Sequence, residues 1–154
     1  QQLQTPHKQI DADPHFKRVV SYFRPSDYVF WGGATAAFPS SLYLMEMWDP
    51  TRPPRGGMSA ALRLGTFLGA AGGFLFAYQR SSMRLWGWTE NEPELKRAIE
   101  EGPEAFGDVT KSSLDPYLQG VAHRNSVWSQ LKFSTMPWFN VVNHGYHGPP
   151  PEEE

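Results

Sequence analysis

The chain has 154 residues, no cysteine and a formal net charge of -2, with a mean hydropathy of -0.51. Without cysteine it can form no disulfide and no cysteine-ligated zinc or iron–sulfur site. A slightly acidic chain also lacks the basic surface that drives nucleic-acid binding, so we expect no nucleic-acid partner. The apolar residues concentrate between positions 28 and 78, with polar segments on either side. This distribution favours an all-α membrane protein over a single soluble core.

The first segment, residues 1–26, is polar, and we expect an extended N-terminal arm there. The apolar region then opens with residues 28–45, which carry no charge. At the rise of an α-helix these residues extend roughly 27 Å, close to the hydrocarbon thickness of a bilayer, about 30 Å. Asp27 provides a start signal for a helix, and Pro50 follows the apolar run. A first transmembrane helix is therefore predicted at about 28–48.

A second transmembrane helix is predicted at about 58–79, where residues 64–79 carry no charge. Between the two helices, residues 49–57 are rich in proline and glycine, which is typical of a tight hairpin loop. Arg63 lies about one turn inside the second helix, from where its charged end can extend to the membrane surface. Residues 27–80 are therefore predicted to form a two-helix transmembrane hairpin.

Small residues recur along the second helix at intervals of four, which brings them onto one face. Such a ridge lets a neighbouring helix approach at backbone contact, and two small residues on the first helix offer a matching notch. The predicted helix-packing residues are Gly33 and Ala37 on the first helix and Ala61, Gly65, Gly69 and Gly73 on the second. The alternative, two buried helices of a soluble α-protein, requires further amphipathic helices to cover them.

Residues 81–154 are predicted to form a partly helical, loop-rich soluble extension. Helix signals mark residues 92–101 and 115–133, the second with Asp115 as its cap. The apolar segment 136–142 is too short to span a membrane, so we expect it to pack on a partner or to lie at the membrane surface.

The orientation of the hairpin follows from the cations near its ends. Five cations precede or follow the two spans, whereas the loop holds two. This difference predicts both termini on the positive side of the membrane, which is the matrix side in mitochondria. The five are Lys17, Arg18, Arg24, Arg80 and Arg84, and the two are Arg52 and Arg55.

Few side chains in the sequence are arranged in a way that suggests catalysis or metal binding. His144 and His147 lie three positions apart, but glycine and proline surround them. A closed metal site needs four ligands, so loop hydrogen bonding is the simpler expectation. We therefore predict no catalytic residue, no cofactor and no metal.

A group of arginine and tryptophan side chains follows the second span. It could bind anionic lipid head groups, such as those of cardiolipin, or anchor the chain at the membrane interface. The group comprises Arg80, Arg84, Trp86 and Trp88.

Several short strings occur in a fixed order around the two predicted spans. They include Asp13-Pro14-His15-Phe16, Arg24-Pro25-Ser26-Asp27-Tyr28, Tyr78-Gln79-Arg80-Ser81-Ser82 and Met136-Pro137-Trp138-Phe139-Asn140. Over residues 11–147 the chain resembles the fungal 21 kDa-type accessory subunit family of mitochondrial NADH:ubiquinone oxidoreductase, respiratory complex I.

This resemblance implies a supernumerary, non-catalytic subunit of the mitochondrial inner membrane that holds no redox cofactor. It also implies contacts with the membrane-embedded core and accessory subunits of complex I, and a role in stabilising or assembling the membrane arm. No catalytic residue is carried over from the family. Two alternatives from other classes stay open: a glycine-ridged pore or translocase component, and a soluble enzyme or metal protein, which only the histidines suggest.

Overall fold

The computed structural model describes residues 4–102, 114–121, 139–141 and 147. Every regular element within these residues is helical and they contain no strand, in agreement with the predicted all-α class. The helices are α1 (Phe16–Ser21), α2 (Pro25–Trp48), α3 (Gly57–Trp86) and α4 (Glu92–Glu101). α4 has the predicted bounds. Residues 116–121 are also helical, and the remainder of the helix predicted at 115–133 lies outside the described residues.

The N-terminal segment contains a helix that the sequence analysis did not predict. α1 begins after His15, whose Nδ1 accepts a hydrogen bond from the backbone N–H of Lys17 at 3.1 Å. That bond satisfies one of the donors left free at a helix start, and the helix buries Val19 completely. The arm predicted at residues 1–26 is therefore not extended throughout, because a local cap and a buried apolar side chain outweigh its polar composition.

The chain divides into two compact units. The first combines Gln1–Tyr22 with Gln79–Glu154, and the second is Phe23–Tyr78. α3 contributes residues to both units, since the boundary falls at Tyr78. The segments before and after the central helix pair therefore fold together as one unit.

In the second unit, α2 and α3 are antiparallel and in close contact. Three pairs of neighbours define the register: Trp31 with Gly73, Ala34 with Gly69, and Pro39 with Gly65. Residue numbers increase along α2 as those of their neighbours on α3 decrease, so the two helices are antiparallel. The indole Nε1 of Trp31 donates a hydrogen bond to the carbonyl oxygen of Ala70 at 2.8 Å. Phe30 and Phe76 stack with ring centroids 4.5 Å apart.

Glycine on α3 allows the backbone of α2 to approach closely. A Cβ atom at Gly69 would lie 2.5 Å from the carbonyl oxygen of Ala34, much nearer than van der Waals contact permits. At Gly65 and Gly73 the nearest atoms would be 2.6 and 3.0 Å away. Three of the four predicted small residues on α3 therefore face α2.

The predicted notch on α2 does not meet these glycines. Gly33 and Ala37 are exposed, and a Cβ at Gly33 would meet nothing within 4 Å among the described residues. The contact falls on Ala34, one position further along and about 100° around the helix. Ala61 lies nearer the loop, where it lines a cleft.

The two long helices differ in hydropathy. Within the part of the chain that the structure describes, α3 is the one helix long and apolar enough to cross a membrane. α2 has 24 residues, but proline, serine and tyrosine residues within it keep its most apolar stretch below the hydropathy of the corresponding stretch of α3. The prediction of two membrane-spanning helices is therefore not confirmed by length and composition.

Gly69→Ala is expected to destabilise the helix pair, because the new methyl group would overlap the Ala34 carbonyl and overpacking of this kind costs about 1–3 kcal/mol. Gly72→Ala is the matched control, since it lies on the same helix and its Cβ would meet open space among the described residues. That variant retains only the gain in helix propensity, about 1 kcal/mol. Thermal unfolding in detergent micelles, followed by circular dichroism, should give a lower midpoint for Gly69→Ala alone. A Gly69→Ala midpoint at or above that of Gly72→Ala, which has the same gain in helix propensity, would contradict the close approach.

Candidate functional site

Residues 4–13, which we call the strap, are bonded to the C-terminal end of α3 through the main chain. The backbone N–H of His7 donates to the carbonyl oxygen of Gly87 at 3.0 Å. Two later strap residues donate to the carbonyl oxygen of Leu85 at 3.0 and 3.1 Å. Gly87 adopts a φ of 84°, and a Cβ there would lie 2.6 Å from the carbonyl oxygen of His7. Glycine is therefore required at this position for both its conformation and its size.

A buried ion pair joins the end of α3 to α4. Nε of Arg84 lies 3.1 Å from Oε1 of Glu94, and both side chains are 5% exposed. The side-chain amide of Asn91 donates to the carbonyl oxygens of Lys8 and Arg84, both at 2.8 Å, and so connects the strap to the same region. A buried charge that loses its partner costs roughly 3–5 kcal/mol. The positions of α3 and α4 therefore depend strongly on one another.

Tyr22, which directly follows α1, is buried and bonds to α4. Its hydroxyl donates to Oε2 of Glu101 at 2.6 Å, and Oε1 of Glu101 accepts from Nε of Arg97 at 2.7 Å. The guanidinium carbon of Arg97 lies 4.3 Å from the centroid of the Tyr22 ring. This arrangement fixes α1 against α4 through one aromatic ring and one carboxylate.

The contacts among Tyr22, Arg97 and Glu101 shift the pKa values of the tyrosine and the glutamate. Burial and the hydrogen bond to Glu101 raise the pKa of Tyr22 to about 12. Burial by itself would raise the pKa of Glu101, but the hydrogen bonds from Tyr22 and Arg97 outweigh it and lower that pKa below its ordinary value. A neutral tyrosine and a charged glutamate are therefore the stable forms at neutral pH.

Residues near the C-terminus contact the N-terminal segment. Oδ1 of the fully buried Asp11 lies 2.9 Å from Nδ1 of His147. The backbone N–H of Phe16 donates to the carbonyl oxygen of Asn140 at 2.7 Å. The described part of segment 136–142, predicted to pack on a partner or at the membrane surface, thus packs in part on its own chain.

The histidine pair considered for metal binding is placed only in part. His147 is occupied by its contact with Asp11, and His144 lies outside the described residues. Among the residues that the structure describes, no group of three or more metal-binding side chains comes together.

The four side chains predicted at the membrane interface lie in different environments. Arg84 and Trp86 are 4% and 6% exposed within the first unit. Trp88 is 42% exposed, and Arg80 is partly exposed. The strap, which is bonded to this end of α3, comes from the N-terminal segment, so no local pattern indicated the burial of Arg84 and Trp86.

Large apolar side chains on both helices of the second unit are exposed. Trp48 on α2 is 83% exposed and Phe67 on α3 is 67% exposed. In the most apolar part of α3, 22% of the residues are buried. Contiguous apolar surface of this kind is normally covered by another protein or by lipid.

An apolar helix pair joined to a polar folded unit defines the class of this chain: a helical protein with exposed apolar surface of the kind that another protein or a lipid phase normally covers. Comparison with known families specifies which assembly. Residues 4–90 match the family model described as NADH-ubiquinone oxidoreductase complex I, 21 kDa subunit. Residues 92–150 match the model for the C-terminal part of the same subunit. The chain belongs to the 21 kDa subunit family of respiratory complex I.

One relative gives the degree of similarity. The NADH-ubiquinone oxidoreductase 20.9 kDa subunit of Neurospora crassa is 45% identical over 153 residues, which cover 95% of this chain and 79% of that protein. The family resemblance recognised in the short sequence strings is thus confirmed. A member of this family is a non-catalytic subunit of a larger enzyme complex, as expected from the sequence.

Tyr22→Phe is expected to lower the stability of the first unit at neutral pH by about 1.5–3 kcal/mol, the contribution of a hydrogen bond to a charged group. Because the pKa of Tyr22 in the folded state lies above its ordinary value of 10.0, the stabilisation is complete below pH 10. It is then lost as the pH rises through about 12. Unfolding midpoints of the full chain, measured by circular dichroism from neutral to alkaline pH, should show this additional loss in the wild type and not in Tyr22→Phe.

Tyr117→Phe is the control for this experiment, since Tyr117 is 71% exposed. It should behave as the wild type does at every pH. An unchanged midpoint for Tyr22→Phe would show that the bond to Glu101 contributes nothing measurable.

Proposed function

We propose that the chain stabilises or assembles the membrane arm of complex I, with α2 and α3 inserted in the mitochondrial inner membrane and both flanking segments in the matrix. In this way it supports electron transfer from NADH to ubiquinone and the coupled proton pumping. The observation that carries the proposal is that the segments on both sides of the helix pair fold into one unit. The exposed apolar side chains of the pair add to it, because they require cover by lipid or protein.

The shared unit supports a hairpin rather than a single crossing. If α3 alone crossed the membrane, His7 and Gly87 would lie on opposite sides of a hydrocarbon layer of about 30 Å. Their 3.0 Å hydrogen bond could not then form. A return crossing by α2 removes this conflict. The lower hydropathy of the most apolar stretch of α2 is compatible with it, since membrane helices tolerate proline and serine when neighbouring groups satisfy the backbone.

The distribution of cations supports the matrix orientation of the two ends. Arg18 and Arg84 are buried in the first unit and do not contribute to the surface charge. The flanking cations with exposed surface still outnumber those of the loop. Within about 20 residues of the helix pair, the exposed or partly exposed cations of the flanking segments are Lys8, Lys17, Arg24, Arg80, Lys96 and Arg97, against Arg52, Arg55 and Arg63 at the loop end.

The faces of α2 and α3 that point away from each other are the proposed contacts with membrane-embedded subunits of complex I and with phospholipid, including cardiolipin. The alternative of a pore or translocase component would need the small residues of α3 to line a passage. Gly65, Gly69 and Gly73 are instead occupied by α2. No observation on the described residues favours that alternative.

Removing the chain from cells is expected to reduce the amount of intact complex I in native gels of mild-detergent mitochondrial membranes. Re-expression of the wild type or Gly72→Ala should restore it, and Gly69→Ala should restore it less well because its helix pair is weakened. In the same gels, mass spectrometry should find the chain migrating with complex I. Migration as a small separate oligomer, or full abundance in cells that lack the other complex I subunits, would contradict the proposal.

The absence of cysteine allows a direct test of the topology with single introduced cysteines. In mitochondria stripped of their outer membrane, a membrane-impermeant maleimide should label Arg55→Cys in the loop. Glu100→Cys, exposed on α4, should be labelled only after the inner membrane is permeabilised. Equal labelling of both positions before permeabilisation would contradict the hairpin, and the opposite order would contradict the orientation.

A further inference from the structure

A cleft of about 310 Å³ lies in the second unit, where α2 ends and α3 begins. Its walls are mainly apolar and include Leu42, Met45, Met58 and Ala61. The volume is at the lower end of the range for small-molecule pockets, about 300–1,000 Å³. The cleft therefore has room for part of a lipid rather than for a whole one. Methionine side chains are flexible and polarizable, which suits them to an acyl chain of variable conformation.

Glu46 gives the rim of this cleft its shape. Its Oε2 accepts a hydrogen bond from the hydroxyl of Thr51 at 2.7 Å, and its Oε1 accepts one from the backbone N–H of Arg52 at 3.1 Å. Arg52 has a φ of 49°, which is uncommon for a residue other than glycine. Both carboxylate oxygens of Glu46 are thus used to hold the loop in this conformation.

Asp49 is the second carboxylate of the lining, and it is available to a ligand. It is exposed directly after α2, and among the described residues no donor is bonded to its carboxylate. The C-terminal end of a helix carries a partial negative charge, which adds to that of the carboxylate. The lining contains two acidic residues and no basic one. This part of the cleft therefore favours a cation.

The same loop also carries two positive charges outside the lining. Arg52 and Arg55 are exposed in the loop that follows Asp49, so this end of the helix pair offers both a carboxylate and guanidinium groups. Groups of both signs are complementary to a zwitterionic head group, in which a phosphate and an ammonium group are joined. An anionic head group without an ammonium group would place no cation at Asp49.

We propose that this cleft binds a phospholipid with an ammonium head group, of the phosphatidylethanolamine type. The apolar walls hold the upper part of an acyl chain, and the Asp49 carboxylate binds the ammonium group. The proposal rests on the membrane placement given under the proposed function, because that placement puts the end of α2 at the level of the lipid head groups.

The test is native mass spectrometry of the purified full chain, equilibrated with equal amounts of phosphatidylethanolamine and phosphatidylglycerol with identical acyl chains. The wild type should bind phosphatidylethanolamine with a preference of about tenfold, the lower end of the effect expected from one charge-assisted hydrogen bond. Asp49→Asn should reduce this preference to about one. Glu100→Gln makes the same charge change at an exposed position outside the cleft and should keep the preference.

A second variant tests the apolar walls. Ala61→Leu fills part of the cleft and should lower the binding of both lipids several-fold, while circular dichroism confirms an unchanged helix content. Equal binding of the two lipids by the wild type would overturn the proposal. A preference that survives Asp49→Asn, or binding that is unaffected by Ala61→Leu, would overturn it as well.

A failure of the lipid site can be distinguished from a failure of the proposed function. A chain that migrates with complex I and resists extraction by alkaline carbonate, yet shows no head-group preference, would overturn the lipid site alone. Release of the wild-type chain by alkaline carbonate would overturn the membrane placement and the lipid site together.

Discussion

The buried ion pair between Arg84 and Glu94 is the interaction on which the organisation of the first unit depends. It fixes α4 against the end of α3, and Asn91 beside it bonds to Lys8, 83 positions earlier in the chain. A charge buried to this degree is tolerated only with its partner in place. The segments before and after the central helix pair therefore fold into one unit. In a membrane-inserted chain both segments must then lie on the same side of the membrane, and the proposed hairpin is the simplest path that allows this.

The two units reach stability by different means. In the first, hydrogen bonds and ion pairs within the chain itself join polar groups of distant segments, as Tyr22 and Glu101 illustrate. In the second, α2 and α3 pack closely at Gly69 but leave side chains such as Trp48 and Phe67 exposed. Binding to a partner or to lipid adds stability by mass action. The polar unit is thus held by its own contacts, whereas the apolar unit exposes surface of the kind that protein or lipid normally covers.

Much of the helical pattern could be predicted from the sequence, because the signals involved are local. α4 begins and ends where its charged pattern and the following glycine and proline indicated. Uncharged runs and a proline-rich loop marked α2 to within three residues and the start of α3 to within one, whereas α3 continues seven residues beyond its predicted end. α1 was missed because its cap uses a histidine nitrogen rather than the usual hydroxyl or carboxylate, and because a single residue, Val19, provides its fully buried contact.

The sequence by itself determined the helical class, the small-residue face of α3 and, through its short strings, the complex I family. Periodicity and order along the chain are enough for these conclusions. Only the tertiary structure decided that Ala34 rather than Gly33 meets α3, and that Arg84 and Trp86 are buried rather than available at an interface. Those outcomes depend on the rotation of one helix against another and on contacts between segments up to 83 positions apart, which no local pattern encodes.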